Sequence, residues 1–118
     1  MKKLFLIAAL LFASVGVFAD EFDDVVVGMR NNVASQGWKV RSNKAKRIIY
    51  VDVKLPSEVT SASNEELYEF KKAFIQSFRQ GAGPKGIARM KRIGATLCIN
   101  LILTNDKVYP VMITPADL

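Results

Sequence analysis

Residues Ala95–Thr114, ATLCINLILTNDKVYPVMIT, decide how this chain folds. Two apolar alternating runs flank Asn105-Asp106, a pair that tolerates the positive φ values of a tight hairpin. Strand side chains alternate sides, so Leu97, Ile99, Leu101 and Leu103 share one face. A two-residue turn pairs Thr104 with Lys107 and predicts Val108, Pro110 and Met112 on that same face. Cys98, Asn100 and Ile102, with Tyr109, Val111 and Ile113, then fall on a mixed, half-exposed side. An apolar face of this size needs helices laid over it, and the upstream sequence supplies them. Pro110 cannot donate to a ladder, which predicts an edge position for the last strand or an irregularity within it. An exposed edge of that kind would offer backbone groups to an added strand.

The chain has 118 residues, a length suited to one domain. Lys2 and Lys3 precede an apolar run, Leu4–Val17, and Val17-Phe18-Ala19 puts small residues at −3 and −1 before Asp20. This is the layout of a cleavable secretory leader over residues 1–19, with a single small domain over 20–118. The apolar run spans 14 residues, short of the roughly 20 that a membrane-crossing helix needs. No cysteine follows it to accept a lipid. The expected product is therefore an exported, soluble protein without stable membrane insertion after cleavage, placed in the periplasm or secreted beyond it.

Without Lys2 and Lys3, 15 basic residues face 11 acids, a net charge of +4. Asp20, Glu21, Asp23 and Asp24 crowd the new start, and from Val25 onward 15 bases face 7 acids. A basic body favours anionic partners such as another protein or an anionic envelope component, although charge of this kind also serves solubility alone. Export and the lack of basic–aromatic interleaving argue against nucleic acid. Cys98 is the only cysteine, so an internal disulfide is excluded, and a mid-strand thiol reads as a small core residue.

The first helix is predicted over Asp20–Gln36, because Phe22, Val25, Val26, Met29 and Val33 recur on one helical face. Early acids complement its dipole, and Gly37 terminates it. Trp38–Arg41 and Arg47–Leu55 read as a first hairpin across the polar turn Ser42–Lys46, and Pro56 ends it. Ser63 and Glu66 have the spacing of a capping box before a helix over Asn64–Gln80. On that helix Leu67, Phe70, Phe74 and Phe78 form a stripe suited to covering a sheet. Gly81 is expected to close it, with GAGPKG (Gly81–Gly86) as a flexible link. A short helix, Lys85–Ile93, follows, turning Ile87, Met90 and Ile93 inward. The predicted architecture is an α+β two-layer sandwich: two hairpins forming one antiparallel sheet of about four strands, covered by two main helices, in the order α-β-β-α-(short α)-β-β.

No motif carries catalysis. Gly81–Gly86 matches G-x-G-x-x-G by letters, but it follows a helix and contains Pro84, unlike a dinucleotide loop. Without histidine, the serine–histidine and cysteine–histidine nucleophile pairs and histidine-bearing zinc sites are absent. Asp23/Asp24 and Glu65/Glu66 are helix neighbours that point about 100° apart and do not converge. The expectation is a non-enzymatic protein with no catalytic residue, cofactor or metal. Its candidate anionic-partner patch comprises Lys39, Arg41, Lys44, Lys46 and Arg47 around the first turn, with Lys85, Arg89, Lys91 and Arg92 on the short helix. Whether the two clusters meet is left open by the sequence. Three functional classes remain: a binding or adaptor protein acting on an envelope or extracellular partner, an inhibitor or immunity protein against a toxin or hydrolase, and a small enzyme of unknown reaction.

Overall fold

A computed structural model describes residues 21–118. The leader expected over residues 1–19, and Asp20, lie outside the described residues. Helix α1 spans Glu21–Val33 and tightens into a 3-10 turn, Ala34–Gln36, that ends at Gly37. Its five apolar stripe residues are all buried. Strands β1 (Lys39–Asn43) and β2 (Ile48–Lys54) form the first hairpin. Helix α2 (Asn64–Ile93) begins with the expected capping box: Glu66 N donates to Ser63 Oγ, and Ser63 N donates to the Glu66 carboxylate. Strands β3 (Thr96–Ile102) and β4 (Val108–Ile113) form the second hairpin.

The four strands lie in sequence order in one sheet, but the sheet is mixed rather than antiparallel throughout. Each hairpin is antiparallel, whereas β2 and β3 pair parallel, from Ile48↔Thr96 to Lys54↔Ile102. The reason is the connection. The helical crossover carries the chain back to the end where β2 began, so β3 must run in the same direction. The two hairpins therefore join through their inner strands as a β-α-β unit. The α+β class holds; the uniform antiparallel arrangement does not.

Helix α2 is continuous through Gly81, contrary to the expected stop there, and breaks only at Gly83 (φ 68°, ψ −176°). That backbone region is essentially restricted to glycine. Pro84 then opens the second half, where its missing N–H costs nothing. The supposed flexible link is thus helical on both sides of one residue. Phe70, Phe74 and Phe78 are buried on the first half and Met90 on the second. Phe70 and Phe74 meet with ring centroids 6.1 Å apart and join the same core as Leu97, Ile99 and Leu101.

The second hairpin corrects the face assigned to β4. Leu103 N donates to Lys107 O at 2.8 Å and Asp106 N to Leu103 O at 3.0 Å. Asp106 takes a left-handed conformation, φ 64°. The loop is therefore three residues long, 104–106, and the pairs are Leu101↔Tyr109, Ile99↔Val111 and Leu97↔Ile113. A one-residue change of register moves every side chain to the opposite face. Val111 and Ile113 are buried with the core, while Val108, Pro110 and Met112 point to the other side of the sheet.

Gly86 answers to the break at Gly83. A Cβ at Gly86 would lie 2.5 Å from Ala82 Cβ, whereas one at Gly81 would meet nothing within 4 Å. Side chains four apart on an unbroken helix are about 5–6 Å apart, so the contact is a product of the kink. Gly86→Ala should destabilise by about 1–3 kcal/mol through overpacking. Gly81→Ala should stabilise by about 0.5–1 kcal/mol through helix propensity. Urea denaturation of both variants checks the pair; equal effects would contradict the kink.

Candidate functional site

All the helices among the described residues serve one side of the sheet. Its buried residues are a single alternating set: Val40 on β1, Ile49, Val51 and Val53 on β2, Leu97, Ile99 and Leu101 on β3, Val111 and Ile113 on β4. The complementary set forms the other face, and it is organised into two regions. Lys39, Arg41 and Lys54 lie exposed on the β1–β2 half. Val108 and Met112, 49% and 42% exposed, lie with Pro110 on the β4 side.

Between them runs a polar chain. Arg41 and Asp52 sit diagonally across β1 and β2, because Arg41 pairs with Tyr50 and Lys39 with Asp52. From there Arg41 grips the carboxylate with both arms of its fork, Nε to Oδ2 and Nη2 to Oδ1, each at 3.0 Å. Asn100, directly opposite Asp52 on β3, donates from Nδ2 to Oδ1 at 2.9 Å and accepts from Cys98 Sγ at 3.5 Å. The Arg41 guanidinium also lies 5.1 Å from the Tyr50 ring centroid. Burial pushes the Asp52 carboxyl upward, but hydrogen bonds from Arg41 and Asn100, and the Arg41 charge, outweigh it and hold it below the usual 3.8. Burial, reinforced by the Asp52 charge, raises the Cys98 thiol above its usual 9.0. The thiolate that nucleophilic chemistry requires is therefore suppressed at neutral pH.

Each edge of the sheet has one outward backbone group that an added strand could not use. Hydrogen-bonded and non-bonded pairs alternate along an antiparallel ladder. Starting from the Leu103–Lys107 bond, the non-bonded positions of β4 are Val108, Pro110 and Met112, whose backbone groups point outward. Pro110 is thus at the edge, one of the two arrangements the sequence allows, and it removes the central outward donor. On β1 the outward Val40 carbonyl accepts from Arg30 Nη2 of α1 at 3.2 Å. One edge lacks a donor and the other has an acceptor already engaged.

The nine basic residues singled out in the sequence fall into different situations. Arg41 holds Asp52. Lys44 pairs with Asp23 at 3.1 Å, and Arg47 lies over the Phe22 ring at 5.1 Å, so the first cluster reaches the start of α1. Arg89, placed by the sequence in the anionic-partner patch, instead pairs with Asp24 at 3.6 Å, with 17% and 10% of the two side chains exposed. The pair links the second half of α2 to the first turn of α1. Both clusters therefore abut the first turn of α1, where consecutive acids lie between them. Lys39, Lys46, Lys85, Lys91 and Arg92 remain exposed. Sequence reasoning missed the Arg41–Asp52–Asn100 chain. Asp52 and Asn100 interrupt apolar alternation at matching strand positions, but only the parallel register brings them together.

Among the described residues, no group of histidine, cysteine or carboxylate side chains gathers to hold a metal ion, and no helix is long and apolar enough to cross a membrane. Among the described residues the fold is α+β, a four-stranded mixed sheet with its helices on one side and the other side uncovered. The chain matches no protein-family model, no curated protein and no solved structure.

The depressed Asp52 value has a defined consequence for stability. A group whose folded pKa lies below its unfolded one stabilises the fold above the unfolded value and loses that contribution as pH falls through the folded one. Asp52→Asn should cost about 1 kcal/mol at pH 7, a modest figure because Arg41 is largely exposed. It should also flatten the acid limb of the stability curve below about pH 4. Asp117, held low by the Thr114 backbone N–H and then by Lys71, retains the remaining slope. Denaturant titrations from pH 7 to pH 2 check this, and an unchanged acid limb would contradict the network.

Proposed function

We propose that this is an exported, non-enzymatic binding or adaptor protein, acting on an envelope or extracellular partner in the periplasm or outside the cell. The observation that carries the reading is the uncovered sheet face. An ordered polar chain at its centre, a basic margin and an apolar margin make a surface with stable geometry and mixed chemistry, the composition of a protein-recognition patch. Holding Arg41 and Asp52 in one arrangement limits the side-chain entropy lost when a partner docks.

The inhibitor reading has less support. It relies on a protruding loop to enter an active site, yet residues 81–86 are helical apart from Gly83. The other candidate loop is tied down by Asn43 Oδ1, which accepts from Lys46 N, and by the Lys44–Asp23 pair. The enzyme reading would require converging acid and base groups. Asp52 is instead committed to Arg41 and Asn100, and the Cys98 thiol is held protonated.

The test uses the full chain expressed with its leader in a Gram-negative host. The exported form should begin at Asp20 by N-terminal sequencing. A photo-crosslinking residue at position 112, on the open face, should give a discrete adduct in the native envelope. The same residue at position 68, where Tyr68 is 60% exposed on α2, should not. No adduct at 112, or equal labelling from both positions, would remove the reading.

A further inference from the structure

The occupant of the open face is constrained by what that face can and cannot satisfy. An extended segment must pair its backbone along a strand edge, and both edges are blunted, by Pro110 on β4 and by Arg30 on the Val40 carbonyl of β1. A segment lying face-on over the sheet finds side chains only and must satisfy its own backbone N–H and C=O groups. A helix does so internally. The face is also asymmetric. Ile102, Val108, Pro110 and Met112 make its β3–β4 half apolar, while Lys39, Arg41 and Lys54 make its β1–β2 margin basic, and Asp52 is the one acid among the strand residues of this face. From β4 to β1 is about 14 Å, three strand spacings. A helix about 10–12 Å wide spans most of that distance, one flank on the apolar half and the other over the cations.

A second copy of this chain is a poor fit. If the faces met with like strands opposed, the two basic margins, each carrying Lys39 and Lys54, would lie against each other. If they met with β1 over β4, those cations would be desolvated against Val108 and Met112. Both arrangements leave charge uncompensated in a closed interface. We infer that the open sheet face docks an acidic amphipathic helix of a partner protein, its apolar stripe over Ile102, Val108, Pro110 and Met112 and its carboxylates toward Lys39 and Lys54. This rests on the binding reading above and gives it a partner chemistry.

The test titrates the leader-free protein, at low salt, with three probes while recording backbone amide NMR shifts. The first probe is a designed 18-residue helical peptide with a leucine stripe flanked by glutamates. The second carries lysine in place of every glutamate. The third is a phosphatidylglycerol vesicle. The glutamate peptide should shift the Cys98–Ile102 and Val108–Met112 signals, and the lysine peptide should bind at least about tenfold more weakly, a difference of roughly 1.4 kcal/mol. Lys39→Glu with Lys54→Glu, both exposed positions away from the core, should reverse that order. Val108→Ser with Met112→Ser should weaken the glutamate peptide about tenfold or more without changing the fold's stability appreciably.

Equal affinity for both peptides, an unmoved open face at millimolar peptide, or vesicle binding at this face without peptide binding would each overturn the inference. The two levels are separable. An adduct at position 112 whose crosslinked segment is not an acidic helix leaves the binding function standing and removes this partner. No adduct removes both.

Discussion

The parallel pairing of β2 with β3 is the constraint on which the rest of the molecule depends. Ile49, Val51 and Val53 face the same side as Leu97, Ile99 and Leu101, and all six are almost completely buried. Burying aliphatic side chains of this size stabilises by about 1.5–3 kcal/mol each, so this central double row fixes the position of everything laid over it. The crossover that makes the pair parallel is α2, and α2 supplies Phe70, Phe74, Phe78 and Met90 to cover it. Connection and covering layer are the same element. That is why one broken helix and α1 suffice on a single side.

Among the described residues, the same economy leaves the other side open. Strand alternation that sends Val51 and Ile99 into the core sends Asp52 and Asn100 outward at adjacent positions, and the register sets them opposite one another. Arg41 reaches the pair diagonally from β1. A carboxylate with a bidentate guanidinium and an amide donor is well satisfied at a half-buried position, so this chain orders the face without helical cover. Edge protection comes from equally local chemistry. Pro110 lies where an outward donor would be, and Arg30 reaches over to an outward acceptor.

Charge follows a similar logic. The acids at the start of α1 look in sequence like dipole complements, and the cations at the first turn and the second half of α2 look like two loose clusters. In the fold, Asp23 meets Lys44 and Asp24 meets Arg89, so the first turn of α1 ties the hairpin to the kinked end of α2. The exposed member of these pairs contributes little. The buried one matters more for position, because removing either partner would strand a charge in a poorly hydrated place.

The sequence by itself determined what local periodicity and chain stereochemistry can encode. The five-residue apolar stripe of α1, the Ser63–Glu66 capping box, the phenylalanine ladder and the alternation of β2 and β3 were all legible, because each depends on residues within a few positions of one another. Tertiary structure decided what depends on distant residues. Whether β2 and β3 run parallel turns on where a 30-residue helical connection delivers the chain, which no local pattern records. The face of β4 turned on one residue of loop length, since Asn105-Asp106 fits a two-residue or a three-residue turn equally well by composition. The Arg41–Asp52–Asn100 chain and the Asp24–Arg89 pair each join residues far apart in sequence, and only packing brings them within reach.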